Sequence, residues 1–197
     1  MLTKSKISIA LVLFFFLISI FVILPNKVSA LSFGTNLLVN PGAESGLYGW
    51  TEVPNEPGNY TWAGDGYYGT AYVYYGNNSF RAGKYGDGML YQDVNISDEL
   101  QRIVRGELRV RLTGYKRNYG DGDMGRIRLQ ALNSSGGVLS NLYLPPFTDD
   151  ENWVYVDTGI LSVPTATYKL RVILEAKFDG NWTKPHCDAY FDGLDLR

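Results

Sequence analysis

Beyond its first thirty residues, much of this chain alternates apolar and polar positions with a period of two. In residues 107–115, Leu108, Val110 and Leu112 share one face, and Arg109, Arg111 and Thr113 share the other. In 126–132, Ile127, Leu129 and Ala131 oppose Arg126, Arg128 and Gln130. In 168–176, Tyr168, Leu170, Val172 and Leu174 oppose Lys169, Arg171, Ile173 and Glu175. A strand turns successive side chains to opposite faces, so each run predicts a strand lying with one face on a core. Further strands are expected at 36–40, 69–75, 88–96, 153–159 and 188–196. Turn chemistry separates them: Gly64-Asp65-Gly66, Gly120-Asp121-Gly122-Asp123, Ser135-Gly136-Gly137, Pro145-Pro146 and Asp179-Gly180. The one helical cue is Ser97 before Asp98-Glu99-Leu100-Gln101, a cap-like start for one or two turns. No linker or internal repeat divides 31–197, and many short strands at regular spacing predict an all-β domain, a β-sandwich or jelly roll.

The first thirty residues follow another pattern. A basic head containing Lys4 and Lys6 precedes an apolar run from 7 to 24, ended by Pro25 and followed by Val28-Ser29-Ala30. This is the layout of a secretory signal peptide, with cleavage expected after Ala30 and a mature domain of 31–197. The competing reading is an uncleaved anchor, since the apolar run approaches a bilayer span. Either arrangement puts the folded part outside the cytoplasm, secreted or at the cell surface. Five Asn-x-Ser/Thr triplets, at Asn59, Asn77, Asn95, Asn133 and Asn181, are glycan acceptors only in a host with the machinery.

Charge narrows the partners. The chain holds 18 Lys+Arg and 20 Asp+Glu, a formal charge of −2. Three of the basic residues and none of the acidic ones lie in the leader, so the mature domain stands near −5. An acidic domain gains nothing from a nucleic-acid backbone, and no nucleic-acid partner is expected. One Cys and one His exclude a disulfide framework and a Cys-rich zinc site. His186 and Cys187 are adjacent, a poor arrangement for a nucleophile and its base, and a buried free thiol is the better reading. No nucleophile elbow, zinc-protease helix or phosphate loop occurs, and catalysis is not expected.

Two end motifs carry a resemblance. Asn36-Leu37-Leu38-Val39-Asn40-Pro41-Gly42-Ala43-Glu44 continues through Gly46-Leu47-Tyr48-Gly49 to Trp50, and the chain closes on Asp188-Ala189-Tyr190-Phe191-Asp192-Gly193-Leu194-Asp195-Leu196. Together with Trp153 and Val163-Pro164 between them, these segments resemble galactose-binding-like jelly rolls, the fold of several carbohydrate-binding modules of secreted glycoside hydrolases. The resemblance implies a structural calcium site, with Glu44 and Asp192 as its carboxylates and carbonyls near Gly69 and Thr70 completing it. The residues supply a reason: if first and last strands are neighbours, the two carboxylates converge, and a hard divalent cation relieves their repulsion. Without a cation, Glu44 caps a turn and Asp192 is a surface acid. Asp121 and Asp123 are read as a solvated turn rather than a second cation site.

Sugar binding asks for flat rings beside polar groups that read hydroxyls. Trp50 and Trp153 lie in the fold-signature segments and are expected in the core. Trp62 and Trp182 lie in Gly/Asn-rich loops and are expected at a binding surface, joined by Tyr67, Tyr68, Tyr85 and Tyr119. Arg109, Arg111, Arg126, Arg128 and Arg171 all occupy polar strand faces. If those strands adjoin, they form either a basic stripe for acidic sugars or a solvated face balanced by acids such as Glu107 and Glu175. The expected function is a secreted, non-catalytic, lectin-like module for a poly- or oligosaccharide, stabilised by calcium. The alternative is a structural or adhesive cell-surface protein that uses the sandwich for protein contacts. The lectin-like reading requires that Trp62 and Trp182 not both be buried.

Overall fold

In the computed structural model, residues 34–54, 62–65, 72–83, 87–119, 122–180 and 187–197 are described; the leader lies outside them. Strands β1 (Thr51–Pro54), β4 (Gly88–Asn95), β7 (Met124–Leu132), β8 (Val138–Tyr143) and β11 (Lys169–Lys177) form one antiparallel sheet in the order β1-β4-β11-β7-β8. Strands β2 (Ala63–Asp65), β3 (Ser79–Arg81), β6 (Leu112–Asn118), β9 (Val154–Asp157) and β12 (Ala189–Leu196) form a second, ordered β2-β3-β12-β6-β9. A short ribbon joins β5 (Arg109–Val110) to β10 (Leu161–Ser162). Helix α1 (Leu100–Val104) follows a 3-10 turn at Ser97–Glu99, where the sequence calls for a short helix.

The two five-stranded sheets, here front and back, close on one apolar layer: the fold is a β-sandwich. Leu90 and Val94 of β4, Ile127 and Leu129 of β7, and Leu170, Val172 and Leu174 of β11 meet Phe80, Leu112, Phe191, Leu194 and Leu196 of the back sheet. Each fully buried Leu or Phe contributes about 1.5–3 kcal/mol, so the period-two pattern is what drives closure. The central strands β11 and β7 pair in register from Lys169↔Leu132 to Lys177↔Met124.

Three expectations change. Residues 36–40 are not a strand, because side chains replace the ladder. The Asn36 amide donates to the Leu194 carbonyl at 2.7 Å and its oxygen accepts from Leu38 and Leu196 N–H. The buried Gln92 amide bonds both the N–H and the carbonyl of Val39. No strand occupies 72–75, and 69–71 lie outside the described residues. The run 107–115 breaks at Arg111, whose backbone pairs in both directions with Arg197. That break sends 109–110 to the ribbon and 112–118 to the back sheet.

Candidate functional site

Trp62 corrects the aromatic expectation. It is 3% exposed, its ring centroid 5.9 Å from that of Phe191, and so belongs to the core. Gly88 makes this possible, since a Cβ there would sit 3.0 Å from the indole Nε1. Trp182, Tyr67, Tyr68 and Tyr85 lie outside the described residues. Tyr119 is 51% exposed, as a binding residue requires, but its neighbour Tyr72, 6.0 Å away, packs on Tyr190 and Arg117 of the back sheet. Trp50 is in the core against Phe80. Trp153 is only half-buried, edge-on to Tyr74 in a back-sheet cluster where Tyr74 stacks on Tyr115 at 3.6 Å and Tyr115 meets Tyr155. Much of the aromatic wealth of the chain therefore packs ring on ring.

Glu44 and Asp192 do come together. The last turn of the opening motif reaches β12 through the Leu194 N–H bond to the Pro41 carbonyl. Both carboxylates then hold the same loop: Asp192 Oδ2 accepts from Tyr74 and Tyr75 N–H at 2.8 Å each, and Glu44 Oε1 from Asn77 and Asn78 N–H. Asp192 Oδ1 accepts from Gly193, which sits at a bulge in β12 with φ +57. Asp192 is fully buried, not a surface acid. Burial pushes its pKa up to about 6 against these three bonds, and the Glu44 charge adds to the rise. Among the described residues no group of three Asp, Glu, His or Cys side chains is placed to hold a metal. The pair nevertheless fits a hard cation in kind, as two oxygen donors whose charges repel. Further ligands would have to be carbonyls, and Gly69 and Thr70 lie outside the described residues.

Asp123 is not in a solvated turn. It is buried and accepts from the N–H groups of Asp179 and Asp188, clamping the two ends of 179–188. Burial raises its pKa. Asp121 and His186 lie outside the described residues. Cys187 is a free, fully buried thiol whose pKa burial drives upward.

The arginine stripe is divided by the break at Arg111. Arg109 bonds the carbonyls of Gly106 and Leu108, and Arg111 forms a two-pronged pair with Asp157. Arg126, Arg128 and Arg171 share the outer face of the front sheet, because β7 and β11 are neighbours there. The register sets Tyr91, Ile173 and Arg128 in one row, Met89, Glu175 and Arg126 in the next, and Asp93, Arg171, Gln130 and Asn141 in a third. Ile173 is 1% exposed although it faces outward, so it forms a floor beneath longer side chains.

These side chains are fixed by one another. Arg171 grips Asp93 at 2.6 and 2.9 Å and lies 4.0 Å over the Tyr91 ring. Its pKa is raised chiefly by that carboxylate. Arg126 pairs with Glu175, bonds the Pro145 carbonyl and lies over Phe147. Arg128 reaches the same Glu175 at 3.1 Å, and the Gln130 amide donates to Asn141. The result is a half-buried Met89 and one half-buried aromatic ring, packed over buried Ile173 and set among held polar groups. That combination suits a ligand with hydroxyls and a partly apolar face. Sequence reasoning found the arginines and missed Tyr91, whose strand position looks structural; its sharing a face with Met89 and Asp93, opposite Leu90 and Val94, was the available cue.

No protein-family model and no curated protein sequence matches the chain. Solved structures do match its fold. A family 16 carbohydrate-binding module superposes with TM-score 0.56 at 19% identity, over 82% of this chain and 99% of that one. TmCBM61, determined in complex with β-1,4-galactotriose, gives 0.55 at 13% identity, over 82% and 97%. The C-terminal family 22 carbohydrate-binding module of Clostridium thermocellum Xyn10B gives 0.53 at 14%, over 79% and 89%. The chain thus has the β-sandwich jelly roll of carbohydrate-binding modules; at these identities the likeness is one of fold.

Proposed function

We propose that the protein is a secreted, non-catalytic carbohydrate-binding module that holds a poly- or oligosaccharide on the outer face of its front sheet. The observation that carries this reading is the row Tyr91–Ile173–Arg128, where a half-buried aromatic ring and a guanidinium lie over buried Ile173, flanked by polar side chains already fixed by hydrogen bonds. Fixed donors and acceptors bind hydroxyls without a further ordering cost. The fold relatives support it, one of them holding a galactotriose. The two carboxylates on the face among the described residues, Asp93 and Glu175, are engaged by cations, which favours holding a sugar over protonating a leaving group. Secretion rests on the leader; among the described residues no helix is long and apolar enough to cross a membrane.

Calcium belongs to the same proposal. Glu44 and Asp192 would hold it, and it would neutralise a buried, mutually repelling pair and tie the opening motif to β12. A melting temperature unchanged by calcium or chelator would remove the metal. For the sugar, the test is affinity electrophoresis and calorimetry of the protein against a panel of plant and microbial polysaccharides. If a sugar covers about 60 Å² of Tyr91, Tyr91→Ala costs about 1.5 kcal/mol, roughly tenfold in affinity. Absence of binding to every polysaccharide would refute the reading.

A second reading has its own observation. Tyr74, Tyr75 and Tyr155 are exposed together on the back sheet, as an adhesive protein's contact surface requires. Concentration-dependent association abolished by Tyr75→Ser and Tyr155→Ser would favour it.

A further inference from the structure

The charges on the outer face of the front sheet do not cancel. Arg126 and Arg128 both turn to Glu175, and Arg171 and Lys169 both turn to Asp93. Four cations share two carboxylates, in a chain whose formal charge is −2. The excess is local, and it is held on the paired strands β7 and β11.

Lys169, 3.8 Å from Asp93, is open to water; of the three arginines Arg128 is the least compensated. Its Nη2 meets Glu175 Oε1 at 3.1 Å and the Met89 sulfur at 4.0 Å, while its Nε is buried with no partner. The other Glu175 oxygen belongs to Arg126. Arg171 differs: both carboxylate oxygens of Asp93 meet its fork. Arg126 has a carboxylate, a carbonyl and the Phe147 ring. A guanidinium does not shed its proton, so a poorly paired one on a half-buried face is costly until an anion arrives. Burial weakens the hold of Arg128 on its proton, and Arg126 and Arg171 add to that effect against Glu175.

The surroundings say what kind of anion. Tyr91 and Ile173 continue the row from Arg128, and Gln130 and Asn141 lie one row away. A bare inorganic ion would use the charge and leave the half-buried Tyr91 ring and the Asn141 amide idle, whereas a sugar bearing its own carboxylate would use the charge together with them. The planar fork of arginine matches a planar carboxylate. We propose that this face binds an acidic polysaccharide, with a uronic-acid carboxylate set against Arg128 and its ring over the Tyr91–Ile173–Arg128 row. This rests on the carbohydrate-binding reading above and names the class of sugar.

The test titrates the protein with polygalacturonate, with the same polymer after carboxyl reduction, and with a sulfated galactan. The expected result is binding to polygalacturonate that weakens as NaCl rises, and at least about tenfold weaker binding to the reduced polymer, the worth of one charge-assisted hydrogen bond. Arg128→Met should lower affinity for polygalacturonate by a similar factor, and Arg128→Lys should restore only part of it, having the charge without the fork. The wild-type comparison needs no variant, so a misfolded substitution leaves the test intact. Equal affinity for intact and reduced polymer would overturn the acidic-sugar proposal while leaving carbohydrate binding standing. Preference for the sulfated galactan would overturn the carboxylate assignment. No binding to any of these or to the neutral panel would sink both readings.

Discussion

Asp192→Asn tests whether burial or hydrogen bonding governs the buried acid beside Glu44. Three N–H groups end on this carboxylate: those of Tyr74 and Tyr75 on Oδ2 at 2.8 Å, and that of Gly193 on Oδ1 at 2.6 Å. An asparagine can keep its oxygen toward Tyr74 and Tyr75, but its amide then faces the Gly193 N–H, and one bond is lost. A hydrogen bond to a charged group is worth about 1.5–3 kcal/mol. Against that loss, the substitution removes a charge that the fold disfavours. The pKa is raised from 3.8 to about 6, and about two units correspond to about 3 kcal/mol, or roughly 2 after discounting for partial solvent access. Because that shift is already net of the three hydrogen bonds, the gain outweighs the loss, and in chelator at pH 7 the variant should be as stable as the wild type or more stable by up to about 2 kcal/mol.

The pH dependence separates them further. Between pH 6 and pH 4 the folded state binds a proton at Asp192 that the unfolded chain does not yet bind. Wild-type stability relative to the variant therefore rises as pH falls through this window, and the contribution is lost as pH rises through 6. Urea unfolding of both proteins at several pH values in chelator measures the difference. With calcium added at pH 7, wild type should gain stability and the variant should gain little. A variant destabilised by more than about 3 kcal/mol in chelator, or a pH difference of the opposite sign, would refute the reasoning.

Other outcomes follow from single contacts. Trp62→Ala empties a core position against Phe191 and should cost about 3–5 kcal/mol in denaturant unfolding, the size of a core loss. Gly76→Ala should cost at least about 1–2 kcal/mol, because Gly76 has φ +71 and a Cβ there would collide with the Glu44 carboxylate; thermal melts with and without calcium would show it. Arg171→Ala releases Asp93 and the guanidinium that holds the Tyr91 ring in place, and should weaken polysaccharide binding several-fold in calorimetry. Cys187 should stay unreactive to a thiol reagent in the native protein and react on unfolding, followed by absorbance.

Much of the fold was legible because strand periodicity is a local property. The runs 126–132 and 168–176 appear as β7 and β11 nearly as spaced, with Ile127, Leu129, Leu170 and Leu174 inside. The run 107–115 shows the limit: its alternation is kept, but the backbone pairing of Arg111 with the far end of the chain splits it between a ribbon and the back sheet. The opening motif looked like a strand because Leu37, Leu38 and Val39 form a short apolar run between polar and turn residues. Asn36 and Gln92, polar residues with no strand signature, are what hold it.

The amino-acid pattern by itself determined the all-β class, the closing strand and a buried thiol at Cys187. These depend on residue type and on spacing along the chain. Only the tertiary structure decided which rings pack, which arginines share a face and where charge is left over. Trp62 turns inward because Gly88, 26 positions away, leaves room for it, and Arg126, Arg128 and Arg171 gather because β7 and β11 became neighbours. Both outcomes rest on contacts between segments far apart in sequence, and alternation specifies a side chain's face without specifying the sheet that face belongs to.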